Sequence, residues 1–225
     1  MARPSGVVSA GRTLLVPRRP STNIRRPKAS IASPWAHIGA GYLERLLACV
    51  LNSPGASFAV QLIFRDAARA DVPAIAGLLN STAGGLTARF GEGPWSLLVT
   101  ERAIEISLRH ARVRVGRSAR RIMSVLRLAT KKPWAIDVTS FTPVKRPLYL
   151  TGMAVSVAHQ GQGLGRLAIE DACAVARDWP ADAIRLDAYD ADAGSGGFYD
   201  RCGFERRGNI VYKGDPLLYY ELLVA

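Results

Sequence analysis

A strand, a glycine-rich turn and a helix follow one another late in the chain, and this unit limits the possible folds most. The strand is predicted for Leu148 to Val155, the turn has the sequence Gln160-Gly161-Gln162-Gly163-Leu164-Gly165-Arg166, and the helix is predicted from Gly163 to Trp179. Glycines let main-chain N–H groups approach an anion closely, and a helix start adds about half a positive charge. The turn is therefore predicted to bind a diphosphate.

The spacing of the turn argues against two common nucleotide-binding loops. A P-loop is disfavoured because its Gly-Lys-Ser/Thr is missing, and a Rossmann dinucleotide loop is disfavoured because GQGLG does not have the GxGxxG spacing. Only one strand–helix–strand unit follows the turn, which also argues against a dinucleotide fold. A tight connection that binds nothing remains open from the residues alone.

The rest of the chain predicts a mixed α/β domain without internal repeats. The predicted strands are Ala59 to Arg65, Arg112 to Val115, Arg121 to Leu128, Ala183 to Tyr189, Ile210 to Lys213 and Leu217 to Leu223. The predicted helices run from an N-cap at Asp71 toward Leu79, from about Trp95 to His110, and from Ser195 to Cys202. The proline-rich, aromatic stretch from Thr130 to Pro147 is expected to be an ordered loop beside the site.

Charge is distributed unevenly along the 225 residues, whose net charge is +12. Residues 1–56 contain eight Lys/Arg and one acid, residues 98–132 contain ten and two, and residues 133–225 contain nine and twelve. The arginines of the predicted hairpin around residue 116 are expected to point outward as a basic face. Such charge suits a nucleic acid, the phosphates of a bound ligand or plain solvation, and nucleic acid is not favoured.

The N-terminal segment differs from the rest, since residues 1–36 contain no acid. We expect residues 1–56 to be a basic, disordered extension and residues 57–225 to form the domain. An organelle targeting peptide and an artefact of an upstream start codon are the alternatives for this segment.

Cysteine content and apolar runs bear on the environment of the chain. Three cysteines without a CxxC pair favour neither a disulfide framework nor a zinc site, and fit a reducing, cytoplasmic location. The apolar runs are shorter than the roughly 20 residues of a membrane-spanning helix, so a soluble monomer or homodimer without a membrane partner is expected.

Two motifs together identify a family resemblance. Gln160-x-x-Gly163-x-Gly165 matches the acyl-CoA signature Gln/Arg-x-x-Gly-x-Gly/Ala of the GCN5-related N-acetyltransferase (GNAT) family, and a Met-Ala-Val strand precedes it as in that family. The segment Gly197 to Phe204, with the sequence GFYDRCGF, resembles the family's Phe-Tyr-x-x-x-Gly-Phe. A looser similarity extends over residues 59–225.

The resemblance implies a fold and a co-substrate. The fold would be a mixed, strongly twisted α/β sheet flanked by helices, whose fourth and fifth strands splay apart to admit the pantetheine arm of acetyl-CoA, with no metal. Backbone groups of Met153 and Val155 would bind the pantetheine, and amides from Gly161 to Arg166 would hold the pyrophosphate. The full set of residues expected at the co-substrate is Met153, Ala154, Val155, Gln160, Gly161, Gln162, Gly163, Leu164, Gly165, Arg166 and Asp192.

The resemblance also suggests catalytic residues. Tyr199 would protonate the departing thiolate as a general acid, or alternatively only pack against the co-substrate. The predicted fourth strand contains no carboxylate, so Asp187 is placed first as general base, ahead of Tyr189, Asp190 and His159.

Four further positions lie in or next to the two motifs. Asp192 stands where the family often has an asparagine, which puts contacts at that loop in doubt. Arg166 and Arg201 are candidates for the CoA phosphates or for plain solvation. Cys202 is expected to fill the core rather than to approach the thiol.

The function implied is a direct transfer of an acetyl group from acetyl-CoA to a primary amine, small or peptide-borne. Two alternatives stay open: a non-catalytic regulator that binds acyl-CoA, and a toxin-type acetyltransferase that acts on aminoacyl-tRNA. The sequence leaves the acceptor unidentified, because acceptor pockets are built from loops.

Overall fold

The computed structural model describes residues 61–224 as one seven-stranded sheet flanked by helices. The strands are β1 (Ile63–Asp66), β2 (Arg112–Ser118), β3 (Arg121–Ala129), β4 (Pro147–Val155), β5 (Ala183–Tyr189), β6 (Glu205–Tyr212) and β7 (Asp215–Leu223). The helices are α1 (Val72–Phe90), α2 (Glu101–His110), α3 (Leu164–Asp178) and α4 (Gly196–Arg201). Along the sheet the order is β1-β2-β3-β4-β5-β7-β6, and only β4 and β5 run parallel. The mixed α/β fold is as predicted.

Helices cover both faces of the sheet. Neighbouring residues of a strand point to opposite faces, so each strand contributes side chains to both helical layers. On one face, Val125 of β3 packs in a cluster with Ile75 of α1 and Ile104 of α2. On the other face, Leu126 packs in a cluster with residues of α3 and α4, including Ala168. The sheet is thus the middle of three layers, and residue parity decides which layer a strand side chain meets.

The predicted hairpin is present as β2 and β3, and three of its arginines pair with acids. Arg112 binds Asp66 at 2.9 Å, and Arg117 binds Asp71 at 2.8 Å. Arg114 forms two hydrogen bonds to the Asp171 carboxylate, at 2.7 and 2.8 Å. Acids distant in sequence neutralise these three arginines, whereas Arg120 and Arg121 at the tip of the hairpin are exposed as predicted.

The first helix departs from its predicted limits at both ends. The Asp71 carboxylate does not cap it; it accepts hydrogen bonds from the Ala68 N–H and from two arginines instead. The helix continues to Phe90, well beyond Leu79, with Thr82 and Thr87 hydroxyls donating to carbonyls one turn back. The residue composition around these threonines therefore predicts a shorter helix than the structure shows.

The second helix begins later than predicted. Pro94–Ser96 form a separate 3₁₀ turn, and Thr100 is the N-cap, whose side chain accepts a hydrogen bond from the Ala103 N–H. A Ser or Thr hydroxyl in this role satisfies one of the free amides of a helix start. The helix therefore starts at Glu101 and not at Trp95.

The first strand is shorter than predicted and begins at Ile63. Residues 59 and 60 of the prediction, and the whole expected extension over residues 1–56, lie outside the described residues. In the described part of the chain, no helix combines the length and hydropathy that crossing a membrane requires.

Strands β4 and β5 pair over three residues and then separate. Their register runs from Pro147 opposite Ala183 to Tyr149 opposite Arg185 and stops there, although β4 continues to Val155 and β5 to Tyr189. The predicted splaying of the fourth and fifth strands is present. It opens a cleft in the middle of the sheet.

A β-bulge interrupts β4 where the separation begins. Leu128 lies opposite Leu150 and Arg127 opposite Gly152, so Thr151 is an extra residue without a partner on β3. Such a bulge bends the strand and increases its twist. The Thr151 carbonyl instead accepts a hydrogen bond from the Arg127 guanidinium at 2.6 Å.

The loop between β3 and β4 is held by buried polar groups of the sheet. Glu221 on β7 accepts from Arg185 on β5 at 2.9 Å and from the Thr142 N–H at 3.2 Å, and Arg185 also donates to the Thr142 carbonyl. Nearby, the Tyr219 hydroxyl donates to the Ala135 carbonyl. The predicted ordered loop is thus fastened to β5 and β7.

Replacing Glu221 by alanine is expected to destabilise the domain by about 3–5 kcal/mol, because the guanidinium of Arg185 is left buried without its counter-charge. Glu205→Ala, which removes the exposed partner of Arg207, is the control and is expected to cost less than about 1 kcal/mol. Urea unfolding of both variants measures the difference. An equal loss of unfolding free energy in the two variants would contradict the role assigned to the ion pair between Arg185 and Glu221.

Candidate functional site

The cleft between the separated strands has a volume of about 1260 Å³. Its walls come from β4, the glycine turn, the end of β5, α4 and the loop after β3. Of the residues expected at the co-substrate or in catalysis, the cleft is lined by Met153, Ala154, Val155, Gln160, Gly161, Gly163, Leu164, Gly165, Arg166, Asp187 and Tyr199. Residues distant in sequence are thereby brought to one place.

The glycine turn presents free main-chain donors. Within residues 61–224, no hydrogen bond is made by the six consecutive N–H groups from Gly161 to Arg166; the first such bond of the helix runs from Leu167 to the Gly163 carbonyl. Gly161 and Gly163 have φ values of 78° and 83°, a left-handed conformation that other residues adopt at a cost. The turn is therefore held open by glycine, with its amides available to an anion.

The third glycine has a different role. A Cβ on Gly165 would lie 2.9 Å from the Phe198 ring and 3.7 Å from the Met153 side chain. Glycine at this position allows the first turn of α3 to lie against α4 and β4. The glycine turn, the family-like Phe-Tyr segment and the splayed strand are therefore packed together.

Main-chain groups of β4 face the gap left by β5. Ser156 donates its N–H to Met123 on β3, and in an antiparallel pair the direction of main-chain groups alternates along the strand. The groups of Met153 and Val155 consequently point to the opposite edge, where pairing with β5 has already ended. This edge offers donors and acceptors to an extended ligand.

Tyr199 reaches the cleft from α4 and is 7% exposed. Its ring packs against those of Phe198, Phe204 and Tyr220, with centroids 5.2 to 5.7 Å apart. Burial raises the pKa of Tyr199 to about 12, so the phenol is protonated at neutral pH. A protonated phenol fixed by aromatic packing is suited to donate a hydrogen bond or a proton.

Asp187 contributes the one carboxylate among the described residues of the cleft wall. It lies half-buried on β5, and burial raises its pKa above the usual value for aspartate. Tyr189 and His159 also line the cleft, whereas Asp190 does not. Alternation along β5 puts Asp187 and Tyr189 on one side of the strand, and both line the cleft.

The structure does not bring every expected residue to the cleft. Asp192 is exposed and does not contribute to its wall, so its expected contact with the co-substrate lacks support. The Gln162 side chain is also exposed and outside the wall, so of this residue only the main-chain N–H of the turn remains as a candidate contact. Arg166 and Arg201 both reach the wall, and Arg166 donates to the Arg201 carbonyl at 2.9 Å. Cys202 also lines the cleft and is only partly buried.

Several further residues of the cleft wall had no predicted role. They are Trp95 before α2, His110 at the end of α2 and Arg127 on β3, together with Lys131, Lys132 and Trp134 of the loop that was expected beside the site. Trp95 contacts Tyr189 edge to face, with ring centroids 6.1 Å apart. The sequence indicated Lys131, Lys132 and Trp134 only as part of that loop, and Arg127 only as a single charge within the largely apolar run Val125 to Ala129.

Comparison with known families gives a partial sequence match. Residues 134–204 match the model of the Acetyltransferase (GNAT) family, a stretch that includes β4, the glycine turn, α3, β5 and α4. No protein of curated function matches the sequence.

Solved structures of low sequence identity share the fold. An acetyltransferase of the GNAT family from Listeria monocytogenes is 22% identical with a TM-score of 0.58, over 72% of this chain and 94% of that one. The yncA protein of Salmonella typhimurium, solved with acetyl-CoA, is 18% identical with a TM-score of 0.56, over 73% and 95%. The ribosomal-protein-S18-alanine N-acetyltransferase of Escherichia coli is 12% identical with a TM-score of 0.53, over 73% and 95%.

The resemblance found in the two motifs is therefore confirmed: residues 134–204 have the sequence pattern of the GNAT acetyltransferase family, and the described domain has the fold of its solved members.

Proposed function

We propose that this protein transfers an acetyl group from acetyl-CoA to a primary amine in the cleft between β4 and β5. The observation that supports this most is the set of free amides from Gly161 to Arg166, which lie at one end of an unpaired strand edge. A diphosphate binds well to such amides at a helix start, and an extended chain with amide groups binds well to a free strand edge. Acetyl-CoA contains both parts in that order.

The chemistry requires a bond to form between the amine nitrogen and the acetyl carbon, and the bond from that carbon to sulfur to break. The sulfur leaves as a thiolate, and a proton from the Tyr199 hydroxyl makes it a neutral thiol. Tyr199 is suited to this role because it is protonated and its ring is held by three aromatic neighbours.

The amine must lose a proton as it attacks, and Asp187 is our candidate for the base, directly or through water. Its carboxylate lies in the cleft wall, and its raised pKa makes it a better proton acceptor than a solvated aspartate. Among the residues that the structure describes, the cleft wall offers no second carboxylate.

Purified protein mixed with acetyl-CoA and a panel of primary amines is expected to release free thiol and form the acetylated amine. Mass spectrometry of the product identifies the acceptor and excludes simple hydrolysis. Tight binding of CoA in a calorimeter without turnover on any amine would contradict the proposed activity and favour the non-catalytic regulator.

Gly163→Ala is expected to raise the KM for acetyl-CoA about tenfold or more, because a left-handed φ costs an L-residue roughly 1–2 kcal/mol and the turn would change shape. Gly214→Ala is the matched control, since Gly214 also has a positive φ and open space around it but lies outside the cleft wall. Steady-state kinetics and CoA calorimetry compare the two. A similar KM in both variants would argue against the turn as the diphosphate site.

Tyr199→Phe is expected to lower kcat by about a hundredfold with little change in KM for acetyl-CoA, since general acid catalysis typically contributes a factor of roughly 10²–10⁴. Tyr220→Phe is the control, because it removes a hydroxyl from a ring packed on Tyr199 but outside the cleft wall. If Tyr199→Phe turns over at the normal rate, the hydroxyl has no part in proton transfer.

Asp187 is expected to give the pH profile of kcat/KM a limb that rises with increasing pH. A base acts only when deprotonated, so kcat/KM should fall as the pH drops through the pKa of Asp187, which lies above the usual aspartate value. Asp187→Asn should lower kcat/KM and abolish this limb, whereas Asp190→Asn, outside the cleft wall, should preserve it. An unchanged limb in Asp187→Asn would assign the base elsewhere.

A further inference from the structure

A half-buried arginine lies in the cleft wall close to the point where β4 and β5 separate. Arg127 is flanked on β3 by the buried residues Leu126 and Leu128, and its side chain points to the face covered by α1 and α2. It lies directly opposite Gly152, next to Met153 on the free strand edge. The guanidinium is therefore near the place where the proposed acetyl transfer occurs.

The guanidinium is held in a fixed position. One terminal nitrogen donates to the Thr151 carbonyl at 2.6 Å and the other to the Ser107 hydroxyl at 2.9 Å. A Cβ on Gly152 would lie 3.0 Å from the guanidinium, so glycine leaves just enough room for it. Two of its five N–H groups are used, and the remaining donors are available to a ligand.

Within residues 61–224, Arg127 has no acidic partner at salt-bridge distance, unlike Arg112, Arg114 and Arg117 of the same hairpin. An arginine stays charged in a protein, and a partly buried charge without a counter-ion is costly. The cost is offset when a ligand supplies an anion at that place.

The surrounding wall contains further basic side chains. His110, Lys131 and Lys132 line the same cleft as Arg127. The Lys132 ammonium donates to the Ile136 carbonyl at 2.6 Å, and within residues 61–224 neither Lys131 nor Lys132 forms a salt bridge. The one described carboxylate of the wall, Asp187, lies across the gap on β5.

We propose that the acceptor is an amine that also has a compact anionic group, of the size of a carboxylate or a phosphate, which Arg127 binds while Lys131 adds positive potential. A guanidinium presents two parallel donors that match either oxyanion. This inference rests on the proposed acetyl transfer and specifies its substrate class: amino acids, acidic peptide ends or amino phosphonates rather than plain alkylamines.

Matched acceptors test the proposal: an amino acid, its carboxamide and its phosphonate analogue, each in turn with acetyl-CoA. The wild-type kcat/KM is expected to favour an anionic form over the amide by about ten- to a hundredfold, the usual worth of a hydrogen bond to a charged group. Comparing kcat/KM for the carboxylate and the phosphonate acceptor shows which of the two anions the site prefers.

Variants at Arg127 make the test specific. Arg127→Gln should bring the anion-to-amide ratio close to one while the KM for acetyl-CoA stays within a few-fold, and Arg127→Lys should restore part of the preference. Arg121→Gln, an exposed position at the start of the same strand, is the control and should keep the wild-type ratio. If Arg127 has a merely structural role, Arg127→Gln would lower kcat/KM for all three acceptors equally.

Two outcomes overturn the proposal, and both differ from failure of acetyl transfer. One is a wild-type enzyme that acetylates the amide as well as the anionic forms; the second is an unchanged ratio in Arg127→Gln. If no amine is turned over, calorimetry of the same three compounds with CoA-bound protein still decides, since equal affinity for the amide and the acid would refute an anion site at Arg127.

Discussion

The early end of pairing between β4 and β5 is the constraint on which the rest of the molecule depends. Main-chain N–H and C=O groups in the middle of a sheet destabilise the fold when they have no hydrogen-bond partner. Parallel pairing over three residues holds β4 and β5 together at one end. A β-bulge at Thr151 then bends β4 at the point where the two strands separate. The resulting free edge is half-buried and lines the cleft, so the fold itself generates the opening in which a ligand is proposed to bind.

The parts of this arrangement that depend on local chemistry could be predicted from the sequence. Gly161, Gly163 and Gly165 indicated a turn with exposed amides because glycine tolerates both a left-handed φ and close approach. The strands and helices next to that turn were placed within one or two residues, since alternating and helical apolar patterns are strong there. The expected contact of Asp192 was taken from the family pattern, and the exposed position of this side chain does not support it.

The parts that depend on long-range partners could not be predicted. A run of arginines on a hairpin suggested a basic surface, but Asp66, Asp71 and Asp171 come from elements distant in sequence and neutralise three of these arginines. Likewise, a single Arg127 in an apolar strand does not reveal which loop or helix it will face. These interactions are set by strand order and helix packing, which composition alone does not encode.

The contact between Arg127 and Gly152 has a consequence for how this cleft can diverge. With only 3.0 Å between the guanidinium and a Cβ built at position 152, the two sites are not free to vary independently. A larger residue on β4 would expel the guanidinium, and a shorter one on β3 would leave space that a side chain from β4 could fill, for example a carboxylate. Exchange of this one cross-strand pair would invert the charge of this part of the cleft and, under the proposed function, favour cationic acceptors, while the glycine turn would stay unchanged.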